Sequence, residues 1–577
     1  MVRPKITKNI LLVLILISAA VLRLWKLDKV PVSLFSDELD VGYQAYSFIN
    51  TGRDYFGNFL PLHFQSYADF RAPLYIYSSI PSVFIFGITP WGLRLPAAIF
   101  GILGVYLLYL LVVEIGGYWK NQSREKIEVF ALFSAFILAF SPWHLQYSRA
   151  AFEVTQLLLL YLCGFYFFFK GVKDGKYIWI SGLFFLLTPW SYSTAKLFTP
   201  LLMVYLFYLF RKKINMSVKQ KLLTFSILCL LWLPLIYVNF FQGAAFRFKY
   251  ISIFTDPTTI GAIQTLRLDD AQMRRRYGGG IGQKISSRLM HNKYIIWQEK
   301  ILDNYLQSFS TGFLFIEGDP NLRHSISGLG QFYKVEMIAL LLGVILLASS
   351  SLDRKIKYLL LFWIIAGIFP SAVTRDGGKH ATRLILILPP IVLVIAYGLT
   401  ETIFRFTAKY KYVFISLFFG IWIFQFGIYS HTYWIHNPWY SERSWHAGYK
   451  ELVTAVKENQ NRYNKIILSN ANDDPRIFLA SYYPYDPTIW QKGTSREFVK
   501  GFGELEHIEK YYFGQPEVDI GIENLSQVLS DDGLYIAAAR EIDGNLIMDP
   551  QKTPEGLVLV KAISYPSGEP AFYLFSI

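Results

Sequence analysis

Eleven apolar segments run along the chain, at residues 9–26, 93–115, 127–142, 154–171, 177–194, 197–210, 222–241, 334–350, 357–373, 384–404 and 412–430. A bilayer core takes about 20 apolar helical residues, so each segment predicts a membrane-spanning helix. Between alternate segments lie short basic stretches: Met1–Lys8, Trp119–Lys126, Lys170–Lys176, Arg211–Lys221, Asp353–Lys357 and Arg405–Lys411. Only Glu125, Asp174 and Asp353 oppose their Lys and Arg residues. Short basic loops face the cytoplasm. All six stretches agree, which predicts a cytoplasmic N-terminus and, with an odd number of spans, a C-terminal tail on the outer side. The first segment ends in Val21-Leu22-Arg23-Leu24-Trp25, with no small-x-small cleavage pattern, and reads as a retained span.

Tyr75–Gly87 is also apolar, but its 13 residues are short for a span. Counting it would put all the basic stretches but the first on the outer side, so it reads as an interfacial or re-entrant helix. Three regions are then left for the outer face: 28–91, 241–333 and 431–577. The tail alternates between two periods. Tyr449–Asn459 and Pro475–Tyr483 read as helices, and Lys465–Ser469, Leu534–Ala539, Gly556–Val560 and Ala571–Ser576 as strands. The expected architecture is a polytopic α-helical membrane domain over 1–430 followed by an extracytoplasmic α/β domain over 431–577.

Composition agrees. The 577 residues are 53% hydrophobic and 17% charged, with mean hydropathy +0.31, whereas a soluble domain averages about 25% charged. The net charge of +14 resides largely in the basic loops and is a topology signal, which excludes a nucleic-acid partner. Cys163 and Cys229 fall inside apolar runs and read as core residues without disulfide or metal spacing. Arg274-Arg275-Arg276 followed by Gly278-Gly279-Gly280 reads as a mobile solvated loop. It lacks the Gly-Lys-Ser/Thr spacing of a nucleotide cradle.

The candidate chemistry lies on the outer side. Asp37 and Glu38 are adjacent carboxylates just beyond the first span. The short outer loops, where positive charge is disfavoured, hold His144, Arg149 and Glu153, then Lys196, then Arg375, Lys379, His380 and Arg383. Charge near the membrane is costly unless paired or functional. Snorkelling of long side chains explains single residues; the set is better explained by an anion site beside an acid. Asp319, Arg323 and His324 form a further cluster in the large outer loop.

In order along the chain stand Ser36-Asp37-Glu38, Arg71-Ala72-Pro73-Leu74-Tyr75, Phe86-Gly87, Arg94-Leu95-Pro96 and Ser148-Arg149 with Glu153. This order resembles the GT-C superfamily of lipid-dependent glycosyltransferases. More narrowly it is similar to the family that contains protein O-mannosyltransferases and the lipid A aminoarabinose transferase (glycosyltransferase family 39-like). The likeness covers about residues 9–400. Arg71 and Ala72 depart from the family's Lys-Pro. The resemblance implies inverting transfer of a sugar from a polyprenyl-phosphate donor, which enters from the lipid, to a protein, lipid or glycan acceptor.

It further implies Asp37 as general base, Glu38 and Glu153 as accompanying acids, and Arg71, Arg149, Lys196, His380 and Arg383 on the donor's phosphate and sugar. Asp319, Arg323 and His324 would line the acceptor side. No cofactor is required by this reading; a divalent cation, where one is used, would sit on Asp37 and Glu153 near His144. Asp37 as the N-cap of the helix beginning near Glu38 is the plainer reading of that residue.

Transport of a lipid-linked sugar is the alternative, but transporters place charge within broken helices near the midplane, and the span interiors here are almost free of it. The tail has no Trp-Trp-Asp element of an oligosaccharyltransferase, and the 241–333 loop is too short for an added β-trefoil. A bacterial plasma-membrane enzyme is the resulting expectation, with the sugar and the acceptor open.

Overall fold

The structure is a computed structural model that describes residues 4–67, 70–241, 246–278 and 281–577. A helix coincides with each of the eleven apolar segments: Pro4–Leu24 (α1), Pro90–Gly116, Arg124–Phe140, Glu153–Lys173, Ile178–Leu187, Ala195–Phe210, Val218–Phe241, Lys334–Ala348, Arg354–Ala372, Leu388–Arg405 and Ala408–His431. Six helices among the described residues are long and apolar enough to cross a bilayer alone. A seventh is added if Arg124–Phe140 and Pro142–Ser148, bent by 58°, form one span. The chain is thus a predominantly helical, multi-pass membrane protein. The most apolar 18-residue window of the segment 381–405 is entirely buried inside the protein.

The region after α1 builds the frame of the site. Ser36–Thr51 (α2) ends at Gly52, whose φ of 69° closes the helix in the left-handed conformation. Phe64–Gln65 (β1) pairs antiparallel with Phe70–Arg71 (β2), in a register that sets Phe64 opposite Arg71. Pro73–Phe86 (α3) has 14 residues, about 21 Å of helix, and packs between α2 and Pro90–Gly116 (α4). Thr89 caps α4 by accepting from Gly92 N at 3.2 Å, with Pro90 in the first turn, where its missing N–H costs nothing.

The region between 241 and 333 is more helical than its sequence suggested, with helices at Thr258–Tyr277, Ile281–Met290 and Lys293–Ser308. Arg274, Arg275 and Arg276 occupy the last turn of the first, where cations suit the helix dipole. The expected mobile loop is corrected to that extent; Gly279 and Gly280 lie outside the described residues.

The tail carries a seven-stranded mixed sheet. Its strands are Lys465–Leu468 (β3), Ser495–Val499 (β4), Gly503–Ile508 (β5), Tyr511–Phe513 (β6), Gly533–Ala538 (β7), Val558–Ser564 (β8) and Pro570–Ser576 (β9). Their order is β4-β5-β6-β3-β7-β9-β8. β3 runs parallel to β6 and β7, and the outer pairings are antiparallel. The tail rests on α2: Tyr43 Oη donates to Tyr485 O at 3.1 Å, and Ser481 Oγ to Leu39 O at 3.2 Å.

Candidate active site

The two adjacent carboxylates serve opposite environments. Neighbours on a helix point about 100° apart, so Asp37 and Glu38 cannot share a face. The Asp37 side chain is 49% exposed and Glu38 is fully buried. Glu38 receives Arg94 Nε at 2.8 Å and Nη2 at 2.9 Å, and Ala151 N–H at 2.8 Å. The same Arg94 donates to the carbonyls of Leu27, Pro31 and Ser33. The carboxylate sequence reasoning grouped with the catalytic acids is therefore engaged as a clasp between α2 and α4. Helix α2 begins at Ser36 with Phe35 as its N-cap, so Asp37 is not the cap.

Asp37 instead shares its face with Asp40, three residues on, and Arg71 meets both. Arg71 Nη2 donates to Asp37 Oδ1 at 2.5 Å, and Nε lies 2.5 Å from Asp40 Oδ2 as an ion pair off the hydrogen-bond direction. Tyr55 Oη donates to Asp40 Oδ1 at 2.6 Å. Burial pushes the Asp40 carboxyl up, against the pull of Arg71 and Tyr55. Burial also opposes the charge of Arg71, but Asp37, Asp40 and Glu153 outweigh it and hold the guanidinium charged. Asp40 was missed by sequence reasoning; its signal is the i,i+3 spacing from Asp37.

Beside this triad lies a cavity of about 390 Å³. Arg71, Lys196, Arg383 and Glu153 line it, four of the residues expected in the site, with Tyr192 and Thr374. Arg383 Nη1 donates to Thr374 Oγ1 at 2.7 Å. The rest of the lining is largely apolar. Trp232, Leu235 and Ile236 come from Val218–Phe241, a helix whose apolar span is only 11% buried and which displays Leu233 and Tyr237 outward. The cavity thus has a cationic wall and a wall borrowed from a helix that faces the bilayer.

Three expected members, Arg149, His144 and His380, are not among the residues that line the cavity. Arg149 is buried, with Nε donating to Tyr433 Oη at 3.0 Å and Nη groups donating to the carbonyls of Leu22, Lys26 and Val30. Its guanidinium lies 4.4 Å from the Trp434 ring centre. It staples the C-terminal end of α1 to the loop before Glu153–Lys173 instead of lining the cavity. His144 Nδ1 takes a hydrogen bond from Arg23 Nη2 at 2.8 Å and is likewise enclosed.

Asp319, His324 and His380 converge in a separate group, with one ligand-capable atom of each within 4.8 Å of the others. Burial pushes the Asp319 carboxyl up to about 6, and burial with Arg323 brings the His324 imidazole down to about 3. The attraction of Asp37 works the other way on His324, so this group flanks the Asp37 side. Arg323 stands 5.1 Å over the Phe35 ring. From the tail, His446 Nδ1 accepts from Ser36 N at 3.3 Å, directly before Asp37. Sequence reasoning had no means of seeing that link.

No known family profile matches the chain. Among curated proteins it is similar to YkcB of Bacillus subtilis (strain 168), which bears a mannosyltransferase name, with 27% identity over 235 residues, 39% of this chain and 29% of YkcB. It is similar in structure to an Archaeoglobus fulgidus oligosaccharyltransferase tethered with an acceptor peptide (TM-score 0.48, 14% identity, 83% of this chain and 63% of that one). It is also similar to ArnT from Cupriavidus metallidurans bound to undecaprenyl phosphate (TM-score 0.48, 10% identity, 99% and 97%). The chain spans under a third of YkcB and under two thirds of the oligosaccharyltransferase.

Proposed function

We propose that this chain is a glycosyltransferase that moves a sugar from a polyprenyl-phosphate carrier to a hydroxyl acceptor at the outer face of a bacterial plasma membrane. The observation that carries this reading is Arg71, which lines the cavity while its guanidinium is bonded to Asp37. One side chain thus joins an anion-binding wall to a partly exposed carboxylate.

The chemistry follows from that arrangement. The lipid chain of the donor lies against Trp232, Leu235 and Ile236, and its phosphate faces Arg71, Lys196 and Arg383. Asp37 accepts the proton of the acceptor hydroxyl as its oxygen attacks the anomeric carbon; such base catalysis contributes about 10²–10⁴-fold. The bond to the phosphate oxygen breaks, and the cations neutralise the charge that develops on the leaving group, where fixed positive charge is worth most. Attack opposite the leaving group inverts the anomeric centre. Glu153, inside the cavity, binds sugar hydroxyls. Glu38, Arg94 and Arg149 hold the frame.

The 27% identity with a mannosyltransferase-named protein over 235 residues supports this class of reaction. The test is a panel of polyprenyl-phosphate sugars presented to the purified protein in lipid, following polyprenyl phosphate release and the anomeric configuration of the product. Inverted product from one donor supports the reading. Movement of a donor across vesicles without its consumption overturns it.

A further inference from the structure

Three of the chain's metal-capable side chains meet where no part of the proposed transfer uses them. Asp319 and His324 come from the loop before Lys334–Ala348, and His380 immediately precedes the short helix Ala381–Leu384. Their ligand-capable atoms all lie within 4.8 Å of one another. The ring centres of His324 and His380 are 5.1 Å apart. Two imidazoles on one tetrahedral ion, with metal–nitrogen bonds of about 2.0–2.1 Å, hold their centres roughly 5 Å apart.

The surroundings orient two of the three ligands. Asp319 accepts from Asn321 N and Ala381 N, both at 2.8 Å, which orients its carboxylate and leaves each oxygen a further lone pair. His324 Nδ1 lies 3.1 Å from Thr382 Oγ1, which in turn is 2.7 Å from Tyr147 Oη. Donation from Nδ1 to Thr382 puts the lone pair on Nε2. The ring is stacked on Tyr147 at 5.9 Å and 11°. Outer hydrogen bonds of this kind orient metal-binding imidazoles and carboxylates.

We infer that Asp319, His324 and His380 form a divalent transition-metal site of the zinc type, with three protein ligands and a fourth position for water. Two nitrogens and one oxygen suit zinc and its neighbours; calcium and magnesium require more oxygens than the cluster offers. The nearby Arg323 and Arg383, both of which act on His324, also disfavour a hard cation held by charge alone. The ion clasps the Asp319–His324 loop to the segment that carries Arg383, three residues beyond His380, and so steadies one wall of the cavity. The site stands independently of the transfer reading, because binding is measured without any donor.

The experiment uses full-length protein purified without a histidine tag, stripped with a chelator, and reloaded with zinc or cobalt(II). Wild type is expected to retain one equivalent of zinc through dialysis and, with cobalt, to develop the intense visible d–d bands of a four-coordinate ion. His324→Gln and His380→Gln should each weaken binding by at least about tenfold. His431→Gln, which breaks the exposed His431–His436 pair with its Nε2 atoms 3.1 Å apart, should leave binding unchanged. Equal binding by His324→Gln, or loss in His431→Gln alone, overturns the inference. If the cluster variants do not fold, wild type decides: folded protein that takes up neither ion at micromolar concentration overturns it as well.

Discussion

Glu38 and Arg94 form a two-point ion pair at 2.8 and 2.9 Å in which neither side chain retains any exposed surface. One residue earlier, Asp37 keeps half its surface and bonds to Arg71. A single step along α2 therefore separates a fully buried carboxylate from a half-exposed one.

Removing one partner of a buried pair strands the other, at a cost of about 3–5 kcal/mol, whereas replacing both by apolar groups is far milder. Glu38→Gln and Arg94→Met are expected to lower the melting temperature sharply, and the double variant Glu38→Leu/Arg94→Met should recover much of the loss. Thermal unfolding in detergent checks this. A stable Glu38→Gln protein that is inactive would instead return Glu38 to the chemistry.

Arg71 serves two carboxylates and the cavity at once. Lysine supplies a point charge but cannot span both acids. Arg71→Lys is expected to keep the fold and lose roughly tenfold in kcat, and Arg71→Met roughly 10²–10³-fold. Steady-state kinetics with one donor separates these from a change in KM alone.

Lys196 and Arg383 should act on the donor instead. Each change to alanine is expected to weaken donor binding about tenfold, equivalent to about 1.4 kcal/mol, with the melting temperature little changed. Arg149→Met should do the reverse. It removes charged hydrogen bonds to three carbonyls and costs at least about 2 kcal/mol of stability. Donor titrations beside melting curves distinguish the two patterns.

The spans were legible because a bilayer demands long apolar runs, and every such run is a helix here. In the tail, β3, β7 and β9 were legible as alternating or apolar strands, whereas β4 was not. Four of its five residues are exposed, and an edge strand of that kind carries no apolar period. The helix Thr258–Tyr277 escaped for the same reason, since only Thr259 among its residues is buried. In the site, residue types were readable, but their partners were not. Arg94 lies 56 positions from Glu38, and Arg149 meets carbonyls of a segment over a hundred residues earlier. Both are decided by tertiary packing, which no local pattern records.

The most direct test of the central claim is the release of polyprenyl phosphate by wild type and by Asp37→Asn, each shown by melting temperature to be folded. The substitution keeps the shape of the side chain and removes its basicity. The account predicts at least a 10²-fold fall in turnover with donor binding retained. Undiminished turnover in folded Asp37→Asn would contradict it, and the base would have to be sought among the other acids at the cavity, with Glu153 first.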